Sequence, residues 1–284
     1  MLYLIFAIVT SSIIFILFKF FDRYKISNIQ AITVNYLTAV TAGYFTTNET
    51  VLFATIPDKP WFSISVFSGV LLMLTFLIYA FSVQKAGIAI TGVSGKMSVI
   101  IPVLLGFFMF QEKITWLRIT GIILAMAAFY LTLKRPSLQK AQAKYLILPV
   151  LLFLGNGFND SLFKISQENF IRNDYQTFLI TAFFISLMIG IILLTILLTI
   201  KKEKLHYKNI IAGVILGLLN WYATYFFLAG LGHYDVSVFV PVYNAGVVCI
   251  AALNGYFFFK EKLTKVNIFG ITLAMIAIVL IALQ

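Results

Sequence analysis

The chain has 284 residues, of which 61% are hydrophobic and only 11% charged, with a mean hydropathy of +1.00. A water-soluble domain is about 45–50% apolar, so a soluble enzyme or binding module is excluded. The formal charge of +11 does not point to nucleic acid, because the lysines and arginines fall in short segments between apolar runs, where they set membrane topology.

A helix crosses a bilayer core with about 20 apolar residues. Ten such runs follow one another: Leu2–Phe20, Asn28–Phe45, Trp61–Phe81, Ile88–Phe110, Trp116–Leu133, Tyr145–Ile165, Tyr175–Ile200, Asn209–Leu228, Tyr234–Phe259 and Val266–Leu283. The runs are continuously apolar, whereas a barrel strand alternates over about ten positions. The predicted fold class is therefore all-α, a polytopic membrane protein of ten transmembrane helices. The first run begins at Met1 with no basic segment before it and no small-residue cleavage site after it, and it reads as a retained span. The single cysteine, Cys249, lies inside a run, which excludes an intramolecular disulfide and a cysteine-based metal site. No metal and no cofactor is expected. Of the 21 lysines and arginines, 15 follow odd-numbered runs, five lie on the opposite side and Lys96 lies within a run. The positive-inside rule then places both termini away from the cytoplasm.

The chain also repeats itself. Glu112 and Glu261 are 149 positions apart, and at that offset Glu112–Ala128 matches Glu261–Ala277 at 10 of 17 positions, including a shared Glu-Lys-x-Thr and Gly121 with Gly270. The same offset pairs Thr75 with Thr224, Ala80 with Ala229, Gly106 with Gly255 and Phe110 with Phe259. Five helices per half is an odd number, so the second half enters the membrane from the other side. The expected organisation is two inverted five-helix repeats, 1–133 and 145–284, joined by a polar linker, 134–144, that carries Pro136.

Each half closes with an apolar helix, a glutamate at the membrane edge, and a last helix opened by a small polar residue and carrying a glycine. These elements are Phe110-Gln111-Glu112-Lys113-Ile114-Thr115 through Gly121, and Phe259-Lys260-Glu261-Lys262-Leu263-Thr264 through Gly270. In them, and over nearly its whole length, the chain resembles the ten-helix EamA-like branch of the drug/metabolite transporter superfamily. The resemblance implies the fold and a transport activity, with a substrate drawn from amino acids, sugars, nucleotides or drugs. The chain departs in one respect: many relatives place both termini in the cytoplasm, whereas its charge asymmetry predicts the reverse.

Lys96, in Gly92-Val93-Ser94-Gly95-Lys96-Met97-Ser98 near the middle of the fourth run, is the most informative residue. A lysine at that depth costs about 2.5–3.5 kcal/mol on insertion scales, so it must face a partner or a wet cavity, and snorkelling is disfavoured at midspan. Asn156, Asn159 and Asp160 share one face of the sixth helix at i, i+3 and i+4. Asp160 is also the candidate coupling residue for protons, since desolvation favours the neutral form of a carboxyl group; an interfacial carboxylate without a role carries the same signature. Asn220, Trp221 and Thr224 on the eighth helix, and Ser237, Pro241 and Asn244 on the ninth, form two further stripes, with Asn244 at the repeat position of Gly95. Pro102 and Pro241 are expected to interrupt the fourth and ninth helices, freeing backbone groups to line a site. Asn35, Thr75 and Tyr79 read rather as makers of interhelical hydrogen bonds. The predicted substrate site is thus Lys96, Asn156, Asn159, Asp160, Asn220, Trp221, Thr224 and Asn244.

Glu112 and Glu261 precede helices and are expected to meet positive helix N-termini in a structural role. Gly121-x-x-x-Ala125 and Gly270-x-x-x-Ala274 predict close helix packing before a dimer interface. Gly92-Val93-Ser94-Gly95 matches the serine motif of rhomboid-type intramembrane proteases, but a base must reach the serine, and the two histidines, His206 and His233, lie outside the spans. With no metalloprotease or phosphate-binding motif either, no enzyme is expected. The expected function is secondary transport of a small polar or amphipathic metabolite, with a non-transporting scaffold or lipid-binding subunit as the alternative. Expected partners are the small-molecule substrate and membrane lipids, with no nucleic acid; the chain would act as a monomer or homodimer in the plasma (inner) membrane.

Overall fold

The computed structural model describes residues 2–47, 53–110, 115–133, 144–169, 175–231 and 236–282, and these are helical or in connecting turns, with no strand among them. Glu112, His233 and linker residues 134–143 lie outside the described residues. The α-helices are α1 (Leu2–Arg23), α2 (Asn28–Thr46), α3 (Phe62–Lys85), α4 (Ile88–Met97), α5 (Ile100–Phe110), α6 (Trp116–Leu133), α7 (Ile147–Asn169), α8 (Tyr175–Thr199), α9 (Tyr207–Leu231), α10 (Val236–Leu253) and α11 (Lys265–Ala282). Each of the ten runs forms one span, α4 and α5 being two pieces of the fourth. Among the described residues, six spans are long and apolar enough to cross a membrane by themselves.

The break between α4 and α5 falls at Ser98–Val99. Pro102 explains it: its nitrogen carries no proton, and its ring excludes the carbonyl four residues earlier, that of Ser98, from the helical position. The interruption expected at Pro241 does not occur, because the backbone stays helical through α10 and becomes irregular only in a π-turn at Asn254–Phe258. In membrane helices neighbouring groups can re-satisfy the backbone that a proline leaves open.

In lipid there is no hydrophobic drive between helices, so close packing and internal hydrogen bonds carry the assembly. The polar residues of α2 show this. Asn28 exchanges amide hydrogen bonds with Gln84 at 3.1 and 2.9 Å, and Gln30 accepts from Asn209 at 2.7 Å and donates to the Lys204 carbonyl at 3.0 Å. Asn35, in the amide orientation that satisfies both its ends, donates to the Leu216 carbonyl at 3.3 Å, the interhelical role its position suggests. The start of α11 is held by a reciprocal cap. Asn267 Oδ1 accepts from the Thr264 N–H and hydroxyl at 3.0 and 2.8 Å, while the Thr264 hydroxyl accepts from the Asn267 N–H at 3.2 Å. The same Asn267 donates to the Leu131 and Thr132 carbonyls at 3.2 and 2.9 Å, satisfying the C-terminal end of α6. Along that pair, Ala125, Ala128, Ala274 and Ala277 are fully buried, so the small-residue stripes are used within the chain.

The main helix pairings recur when the two halves are exchanged. α1 lies on α9 as α7 lies on α3, α2 on α9 as α8 on α3, and α1 on α10 as α7 on α4; α2–α8, α4–α10 and α6–α11 pair across the exchange with themselves. The exchange-related helices α1 and α7, and α4 and α10, line one common cavity.

Candidate functional site

This cavity, of about 470 Å³, is enclosed by α1, α3, α4, α7, α8, α9 and α10. Its floor is set by small residues. Gly95 on α4 brings that helix to the Asn156 amide, 3.4 Å from where a Cβ would stand, and Gly155 and Gly157 seat α7 directly on Thr75 and Ile101. With those contacts made, the polar stripe of α7 turns inward. Seven of the eight expected site residues line the cavity: Lys96, Asn156, Asn159, Asp160, Asn220, Thr224 and Asn244.

Trp221 does not line it. A helix advances about 100° per residue, and here that turn carries Trp221 from the cavity side, where Asn220 sits, to the face of α9 that packs on α2. The Trp221 ring is buried over Gly43 of α2 and beside Phe183, with its indole N–H unpartnered.

Lys96 lies in the last turn of α4, where the negative end of the helix favours a cation. Its ammonium lies 4.3 Å from the centroid of the Tyr243 ring, a cation–π contact. The Tyr243 hydroxyl in turn shares a 2.8 Å hydrogen bond with Ser11 of α1. Asp160 is exposed to the cavity and close enough to Lys96 and the Ser98 hydroxyl to interact with both, yet the described residues contain no direct Lys96–Asp160 ion pair. Asn159 is 5% exposed, and its side-chain carbonyl has no hydrogen-bond partner. A buried acceptor without a partner costs about 1–3 kcal/mol, so Asn159 is ready to receive a donor. The apolar part of the wall is largely aromatic, with Phe15, Phe76, Tyr79, Phe163, Phe183, Phe227 and Tyr243.

Ser11, Ser98 and Tyr243 were not among the expected residues. The signal for Tyr243 was its adjacency to Asn244, the repeat partner of Gly95. Thr75 and Tyr79, read as interhelical residues, also line the cavity, although the Thr75 hydroxyl donates to its own helix at Leu71, 2.7 Å away. The Ser94 hydroxyl is buried and donates to the Ile90 carbonyl at 2.8 Å. His206 lies at the end of the bundle, away from the cavity, and no group of histidine, cysteine and carboxylate side chains among the described residues is arranged to hold a metal.

The sequence of these two similarly packed halves matches a known group. The EamA-like transporter family matches residues 1–134 and 163–283. The chain belongs to the EamA-like transporter family. It is therefore a multi-pass integral membrane protein of a transporter family. An uncharacterized protein of Haemophilus influenzae is 29% identical over 287 residues, spanning 97% of this chain and 95% of its own length. A protein of known crystal structure shares 14% identity and superposes with a TM-score of 0.57, over 98% of this chain and 94% of its own; that likeness speaks to the fold alone.

Proposed function

We propose that this EamA-like protein is a secondary transporter that moves a small polar or amphipathic metabolite across the plasma (inner) membrane by alternating access between two inverted five-helix repeats. The observation that carries the reading is the cavity itself: residues of both halves enclose about 470 Å³ around a membrane-embedded lysine and carboxylate that do not neutralise each other directly. A scaffold that used its polar residues only to join helices would have no reason to gather a lysine, a carboxylate and the unpartnered Asn159 carbonyl around a void. Lys96 binds an anionic or strongly hydrogen-bond-accepting part of the substrate, the carbonyl of Asn159 accepts from a substrate donor, and the aromatic wall takes the apolar remainder. Asp160 is the proton-coupling residue.

The test is a metabolite screen in proteoliposomes, with and without a proton gradient. Protein-dependent movement of at least one small polar metabolite, increased by the gradient, is expected. No movement above protein-free vesicles would count against transport, and movement indifferent to the gradient would count against proton coupling.

A further inference from the structure

Glu261 occupies a place that the two halves build together. It follows the π-turn after α10, in the second half, yet its carboxylate accepts the backbone N–H groups of Ile88 at 2.7 Å and Ala89 at 3.3 Å, in the first turn of α4. The glutamate thus meets a helix N-terminus, but not that of the helix it precedes. Two glycines clear the space: a Cβ on Gly255 would stand 2.6 Å from a carboxylate oxygen, and one on Gly87, which holds φ +107°, 2.9 Å from both oxygens. Lys19 of α1 approaches the same carboxylate at 3.8 Å and donates to the Val83 carbonyl of α3 at 3.3 Å. Phe20, next to Lys19, and Phe259, two residues before Glu261, pack edge to face with centroids 5.7 Å apart.

Glu261 of the second half therefore holds α4 and α1 of the first, and Lys19 carries the link on to α3, at the end of the bundle where Lys19, Lys85 and Lys260 lie. Behind it α4 is buried from Ile88 to Ser94, and the cavity begins at Gly95. The lining residues Asn156 to Phe163 on α7 and Leu179 to Phe183 on α8 put the cavity in the half of the bundle away from this lysine-rich end.

We propose that Glu261 is the latch of a gate at the lysine-rich end, made when the cavity is shut from that face and broken when the halves rock apart to open it. The inference rests on the alternating-access reading above. Charge-assisted bonds to a helix N-terminus are strong in a low-dielectric setting and fail together when the helix moves away, and here the bonds of the carboxylate to Ile88, Ala89 and Lys19 all cross from one half to the other.

The test uses thiol accessibility in a Cys249→Ser background, in sealed vesicles of both orientations, with Ser94→Cys as the reporter behind the latch and Thr224→Cys as the reporter in the cavity. Glu261→Gln keeps the shape but removes the charge. It should speed labelling of Ser94→Cys from the lysine-rich face by about tenfold, the shift expected for the loss of charge-assisted bonds, and slow labelling of Thr224→Cys from the opposite face. Lys19→Gln leaves both N–H bonds in place and should shift the same rates by about two- to fivefold, as a partly exposed ion pair would. Should Glu261→Gln not yield monodisperse protein, Lys19→Gln alone decides. Unchanged rates, or faster labelling from both faces, would overturn the latch and make Glu261 a plain structural cap. A parent protein whose cavity reporter labels from one face only would overturn alternating access itself, and the latch with it.

Discussion

Lys96→Met removes the ammonium and keeps much of the stem, and the structure decides what that does to stability. The variant forfeits the cation–π interaction with Tyr243, about 0.5–2 kcal/mol. Against it stands the relief of the insertion cost of a midspan lysine, about 2.5–3.5 kcal/mol. Because the described residues show no direct ion pair with Asp160, removing the lysine does not strip a carboxylate of its bonded partner, which would cost about 3–5 kcal/mol. The variant is therefore expected to melt at or above the parent temperature in detergent. Its substrate affinity should fall by about 10- to 100-fold, the loss of one charged hydrogen bond of about 1.5–3 kcal/mol. Thermal unfolding and concentration-dependent transport in proteoliposomes give the two readouts. A fall in stability of several kcal/mol would make Asp160 the compensating partner, and unchanged stability with unchanged affinity would make Lys96 a solvated bystander.

Asp160→Asn nearly preserves size while abolishing the titrating group, so gradient-driven accumulation should disappear while downhill exchange continues; accumulation that survives would remove Asp160 from the coupling role. Asn267→Ala should destabilise the protein by roughly 1–3 kcal/mol, since it deletes the α11 cap and leaves two α6 carbonyls unsatisfied; a melting temperature equal to the parent would contradict the bonding described. A cysteine placed beside Lys204 should resist an impermeant reagent in intact cells, because the 15-to-5 charge asymmetry assigns that loop to the cytoplasm; efficient labelling from outside would reverse the topology.

The ten spans were legible because a bilayer imposes their length and their continuous apolarity. The seven cavity residues were legible for a related reason: Lys96, Asp160 and the asparagines around them sit inside apolar runs, where an unsolvated polar group is too costly to keep. What a run does not reveal is direction. Asn220 and Trp221 are neighbours in sequence and both are amphipathic, and only the close packing of α9 on α2 turns the first to the cavity and the second onto Gly43. Ser11 and Tyr243 are 232 positions apart, so nothing local announces that they meet, and a lone serine in a membrane helix ordinarily bonds its own backbone. Glu261 shows the same limit. Local electrostatics predicts that it meets the N-terminus of α11, the helix it precedes; the contact made instead, with α4 173 residues away, follows from the packing of one half on the other.

Alternating access requires that one cavity face both sides of the membrane in turn. The direct measurement is the labelling of Thr224→Cys, in a Cys249→Ser background, by a small impermeant thiol reagent applied to one face at a time of oriented vesicles. Labelling from each face, at rates that change in opposite directions when the latch is weakened, is predicted. Labelling confined to a single face in the parent would contradict it.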